Sequence, residues 1–61
     1  MDIETEIAVR FKQLSPHLDE RGLRLFVAAE ANAIGRGGVT LLHRITGVAR
    51  STIKRGQDEL A

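Results

Sequence analysis

Apolar residues recur along this chain at the spacing of one helical face, and every periodic segment predicts helix. Ile3, Ile7, Phe11 and Leu14 stand at i, i+4, i+8 and i+11, a single stripe from which Val9 departs. That predicts a first helix over residues 2–14. Asp2 suits its N-cap, and Glu4 and Glu6 suit the positive end of its dipole. Pro16 disfavours the α region at Ser15, so the helix is expected to end near Leu14. A second helix is predicted over 19–34, with Asp19 as N-cap and Leu18 and Leu23 at the two positions of a hydrophobic staple. Its residues Leu25, Phe26, Val27, Ala28, Ala29, Ala31, Ala33 and Ile34 cover most of the circumference. This is the expected central helix, closed by Gly35 at a position that favours positive φ.

Gly35-Arg36-Gly37-Gly38 predicts a hinge. Beyond it, Leu41, Leu42 and Ile45 mark a third helix over 39–46, too short to persist without packing. Gly47-Val48-Ala49 interrupts the pattern, and a fourth helix is predicted over 50–60. The expected fold is all-α: one small four-helix domain spanning residues 1–61.

The stretch from Val39 to Leu60 has the spacing of a helix-turn-helix, whose second helix lies in the DNA major groove. Gly47 sits where the turn wants positive φ, and Leu42, Val48 and Ile53 are placed to fill the wedge between the helices. At about 100° per residue, Leu60, Gln57 and Gly56 join Ile53 on the inner side of the fourth helix. Ser51, Thr52, Lys54 and Arg55 project outward. Arg55 offers a planar fork for guanine or phosphate, and Lys54 a point charge for the backbone. Arg50, Ser51 and Thr52 occupy the first turn, where free N–H groups also attract phosphate. Arg36 and Arg44 are expected to support through phosphate. Gly56 inside a helix costs about 1 kcal/mol relative to Ala, which close approach of a neighbouring helix would explain.

Charge sharpens this picture. The formal net charge of the 61 residues is only +1. Residues 1–30 carry four basic and six acidic groups, whereas 31–61 carry five basic and two acidic, with no acid from Ala31 to Gln57. A block of one sign suits a polyanionic partner such as double-stranded DNA. Hydrophobic residues make up 43% of the chain, which argues against disorder. A chain this short buries only about 60% of its unfolded surface, so its stability is expected to be marginal. No apolar run approaches the roughly 20 residues of a membrane span, and the first residues lack the chemistry of a signal peptide.

Other chemistry finds little support. There is no Cys, and two His do not suggest a metal site. No cofactor, catalytic residue or nucleophile–base pair is expected, and the size leaves no room for an enzyme's own cleft. His43 is expected to be a packed or surface residue and His17 a loop residue. Gly35-Arg36-Gly37-Gly38 lacks the Gly-Lys-Ser/Thr ending of a P-loop. Two other readings stay open: a dimeric transcriptional regulator using the same motif, and a helical protein-interaction module docking through the first or fourth helix.

From Leu18 onward the chain resembles the N-terminal DNA-binding region of Rhodopirellula-type insertion-sequence transposases, a bacterial DDE transposase family. The residues that carry the resemblance are Leu18-Asp19-Glu20-Arg21, Arg24-Leu25, Ala28-Ala29-Glu30-Ala31, Gly35-Arg36-Gly37-Gly38, Arg44, Thr46-Gly47-Val48, Arg50-Ser51-Thr52-Ile53, Arg55-Gly56 and Glu59-Leu60. They span roughly two-thirds of the chain. The Ser-Thr-Ile of the turn is weakly specific; the Ala-Ala-Glu-Ala to Gly-Arg-Gly-Gly stretch is more telling. The resemblance implies recognition of the terminal inverted repeats of a mobile element, in a bacterial cytoplasm, by a protein whose catalytic domain lies elsewhere. Two positions depart from the pattern. Ala49 stands where such turns commonly carry Ser, removing an N-cap worth about 1 kcal/mol. His43 stands where the two-helix contact usually has a small residue such as Ala. Asp58 and Glu59 near an uncapped helix C-terminus suggest a fragment, so a homodimer or further domains of a parent chain are expected to add specificity.

Overall fold

The computed structural model describes residues 2–61. Four helices follow in order: α1 (Ile3–Leu14), α2 (Glu20–Ile34), α3 (Gly38–Thr46) and α4 (Arg50–Leu60), with a 3-10 turn at Ser15–His17 between the first two. The all-α, four-helix expectation holds, and each helix boundary lies within a residue of its predicted place. Among the described residues no helix is long and apolar enough to cross a membrane.

The caps form as the sequence chemistry requires. Asp2 accepts from the Thr5 N–H at 2.7 Å, and Asp19 accepts from the Gly22 N–H at 2.7 Å. The end of α1 has a different cause from the one expected. Ser15 keeps right-handed helical angles (φ −55°, ψ −37°), and its N–H still donates to the Phe11 carbonyl. Pro16 acts instead by lacking an N–H, so the chain tightens into the 3-10 turn and leaves it at Leu18, which is extended. At the other end of α2, Gly35 has φ 82° with ψ −128°, outside the left-handed helical well; Gly37 takes that well and precedes α3.

Ile7, Val27, Ala31, Leu42 and Ile53 form the fully buried core, one contribution or more from every helix. Val48 packs against it from the α3–α4 turn. Two close approaches set the arrangement. A Cβ on Gly38 would lie 2.2 Å from the Ala31 carbonyl oxygen, and one on Gly56 would lie 2.5 Å from the Arg24 carbonyl oxygen. Only glycine lets α3 begin, and α4 cross, directly on the α2 backbone. The close approach expected from Gly56 is therefore present, with α2 as the neighbour.

α2 is central to this three-helix body, but α1 reaches mainly α3. It buries only Ile7, half-buries Phe11, and leaves Ile3 55%, Val9 40% and Leu14 41% exposed. Its other links to the body are polar. Arg10 makes a two-pronged pair with Glu30 of α2 (2.7 and 2.8 Å), and Glu4 pairs with Arg44 of α3 (2.7 Å).

Candidate nucleic-acid interface

The polar face of α4 begins immediately after the turn. Arg50, Ser51, Lys54 and Arg55 are exposed, and Thr52 is half-buried, while Ile53 and Gly56 point into the body. The inner face is shorter than the helical wheel indicates. Leu60, predicted inside, lies in the last turn of α4 and is 46% exposed; Gln57 is half-buried and its Nε2 donates to Asn32 Oδ1 at 3.0 Å. No side chain caps α4, since Ala49 stands at its N-cap. The N–H groups of Arg50, Ser51 and Thr52 precede the first ladder bond, from the Ile53 N–H to the Ala49 carbonyl (3.1 Å).

The remaining predicted contacts lie along α3. Arg44 occupies its last turn, six residues before α4 begins, but its guanidinium is turned to Glu4 of α1 rather than left open. Both partners are exposed, so the pair is weak enough to exchange for another anion. Arg36 is exposed at the opposite end of α3, flanked by Gly35 and Gly37, both at φ 82°. Nine helical residues separate that hinge from the turn, about 13 Å at 1.5 Å per residue. The structure thus gathers Arg50, Ser51, Lys54 and Arg55 on the exposed side of one helix, with Arg44 in the last turn of α3 and Arg36 at the opposite end of that helix.

Ion pairing divides the basic residues into two sets. Arg10, Arg21, Arg24 and Arg44 each face a carboxylate. Among the described residues, Lys12, Arg36, Arg50, Lys54 and Arg55 enter no ion pair. Apart from Lys12, the uncommitted cations fall between residues 36 and 55.

Glu59 is the residue whose role the sequence misled on most. An acid near a helix C-terminus opposes the dipole and dilutes a basic surface, yet here it holds Arg24, the one buried charged residue among those described. The Arg24 guanidinium donates to both Glu59 oxygens, with Arg21 at 4.0 Å. These bonds to Arg24, helped by Arg55 and Arg21 nearby, hold the Glu59 carboxyl below its ordinary value and push Arg24 up. No periodicity in the sequence marks a pair 35 positions apart. Glu59 belongs to the fold.

The turn is the other place where side chains do more than the sequence discloses. The Gly47 N–H donates to the His43 carbonyl (2.9 Å) with Gly47 at φ 76°. The Thr46 hydroxyl donates to the Leu42 carbonyl (2.6 Å) and accepts from the Val48 N–H (3.2 Å). His43 Nδ1 lies 2.8 Å from the Val48 carbonyl oxygen. The His43 position is thus occupied by a hydrogen-bonding side chain, in place of the small residue usual at such crossings. His17 is exposed in the 3-10 turn.

Compared with protein-family models, with curated proteins and with solved structures, the chain has no match.

Proposed function

We propose that this chain binds double-stranded DNA, with α3, the Gly47-Val48-Ala49 turn and α4 acting as a helix-turn-helix and α4 as the helix in the major groove. The observation that carries the reading is the division of cations. Arg10, Arg21, Arg24 and Arg44 pair with carboxylates of the chain, whereas Arg36, Arg50, Lys54 and Arg55, together with Lys12 of α1, enter no ion pair among the described residues. Counterion release from phosphate is the interaction such residues are suited to. In this reading Arg55 and Ser51 reach base edges or phosphate, Lys54, Arg36 and Arg44 reach phosphate, and Arg50 with the free N–H groups of α4 grips the backbone where the helix begins. Thr52, half-buried, offers its hydroxyl only from the edge of the face.

The narrower reading is that the duplex is the terminal inverted repeat of a mobile element and the chain part of a DDE transposase. It rests on the residue pattern alone. Several of the matching residues, Ala28, Ala31, Gly38, Ile53 and Gly56, are accounted for by helix packing. Arg36, Arg44, Arg50, Ser51, Thr52 and Arg55 are among the matching residues that packing leaves unexplained.

The test is an amide chemical-shift titration of the labelled protein with a short duplex at about 50 and 200 mM salt. Shifts at Arg50–Arg55 and around Arg36, weakening steeply with salt, are expected. With so few cations, a nonspecific Kd of about 10⁻⁴–10⁻⁶ M at physiological salt is the appropriate scale. No shifts at the lower salt would overturn the reading. Selection of bound duplexes from a random pool then tests the narrower one, which requires the winners to match the ends of the element encoding the chain.

A second reading is favoured by the exposed Ile3 and Leu14 of α1: a dimer or a protein-docking helix. A molar mass of two chains, abolished by Ile3→Glu, would support it.

A further inference from the structure

We infer that His43 is a positioning residue for α4: its ring fixes the Val48 carbonyl, and through that peptide the direction in which α4 leaves the turn. For DNA the consequence rests on the function proposed above. The geometry itself does not.

A three-residue connection between helices is adjustable unless something holds its middle residue. Here Val48 is held on both sides by α3. Its N–H donates to the Thr46 hydroxyl at 3.2 Å, and its carbonyl faces His43 Nδ1 at 2.8 Å. The Thr46 hydroxyl is itself committed to the Leu42 carbonyl one turn back. A carbonyl only accepts, so Nδ1 carries the hydrogen, and that bond sets the tautomer of the ring. His43 and Val48 are both half-buried, which keeps water from competing freely.

The clamp also answers the lack of a cap. With Ala at position 49, no side chain ties α4's first turn to its own start. The orientation of that turn depends instead on Val48, whose outer peptide plane His43 fixes from the preceding helix. Arg50 and Ser51 follow two and three residues later. A small rotation about this peptide displaces the first turn of α4, ahead of Ile53 in the core and of Gly56 on the α2 backbone.

Three variants separate hydrogen bonding from bulk. His43→Asn places an N–H on Cγ, where Nδ1 is. His43→Gln moves the donor one bond out, and His43→Leu removes it while keeping an apolar side chain. In the unbound protein, ring nitrogen shifts are expected to show Nδ1 protonated at neutral pH. Residual dipolar couplings should show the angle between α3 and the first turn of α4 altered in His43→Leu and His43→Gln and restored in His43→Asn. An unprotonated Nδ1, or an unchanged angle in His43→Leu, overturns the inference whether or not the protein binds DNA.

The second arm uses the tightest duplex from a random pool and a scrambled duplex of the same length. His43→Leu is expected to lose about fivefold in the ratio of the two affinities, the scale of one hydrogen bond, with His43→Asn recovering most of it. Equal weakening toward both duplexes would mean that His43 only stabilises the fold, and would overturn its role in discrimination. A wild-type protein that binds neither duplex overturns the DNA function and leaves the first arm standing.

Discussion

α1 and the α2–α3–α4 body are held by different physics. In the body, backbones touch: Gly38 lies against the Ala31 carbonyl and Gly56 against the Arg24 carbonyl, with Leu42, Val27 and Ile53 filling the space between. α1 instead contributes one fully buried side chain, Ile7, a part-buried ion pair from Arg10 to Glu30 and an exposed one from Glu4 to Arg44. Burial and close packing give most of a small domain's stability, and exposed ion pairs give little. The body is therefore expected to dominate the stability of the chain, with α1 the more weakly held helix even though Ile7 completes the common core. The proposed DNA-contacting residues all sit on the more tightly built part, where helix orientation is defined.

That contrast can be broken most directly by volume changes. At about 0.05–0.15 kcal/mol per residue, 61 residues support roughly 3–9 kcal/mol of stability, so one core defect is a large fraction of the total. Leu42→Ala, at a side chain with no exposure, is expected to cost about 4 kcal/mol. Gly38→Ala forces a methyl into a backbone oxygen and should cost about 3 kcal/mol. Urea denaturation followed by circular dichroism measures both.

Ile7→Ala is expected to cost less, about 2 kcal/mol, although Ile7 is equally buried. Its effect is limited by the free energy of docking α1, beyond which the helix simply detaches. Amide hydrogen exchange should then show α1 opening before α2 and α4. A cost for Ile7→Ala above that of Leu42→Ala would make α1 an integral part of the core and dissolve the distinction.

Acid should act on the body through Glu59. Its carboxyl is held below the ordinary 4.5 by Arg24, and that of Asp2 below the ordinary 3.8 by the Thr5 N–H. The unfolded chain consequently binds protons that the folded chain refuses. Stability from these groups is complete above the ordinary values and is lost as pH falls through the depressed ones. Melting temperature should decline as pH drops below about 4.5, and Glu59→Gln should flatten that decline. A profile unchanged by Glu59→Gln would separate the Arg24 pair from the stability of the body.

The smallest effect belongs to the α1–α3 surface pair. Glu4→Gln is expected to change stability by less than about 0.5 kcal/mol, because both partners are exposed. Salt dependence of DNA affinity is the more sensitive readout. Freed of its carboxylate, Arg44 can take a phosphate, steepening the logarithmic slope by up to about 0.9.

The helical elements were legible because their causes are local. The spacing of four between Ile3, Ile7 and Phe11, the caps at Asp2 and Asp19, and the glycines at 35 and 47 each act within a few residues. The exposed face of α4 was legible for the same reason: given Ile53 inward, helix geometry alone sends Ser51, Lys54 and Arg55 outward. Leu60, placed inward by the same geometry, is 46% exposed, since a helical wheel gives the direction of a side chain and not what covers it.

What the amino-acid order determined by itself is thus the all-α class, the places where helices begin and end, and which cations α4 can offer. The tertiary structure alone decided the partners. It brought Glu59 to Arg24, Glu30 to Arg10 and Glu4 to Arg44, and it set the α2 backbone against Gly38 and Gly56. These pairings join residues distant along the chain, so no local propensity encodes them; they follow from how the helices pack. Which arginines stay free for an external anion is for that reason a property of the fold.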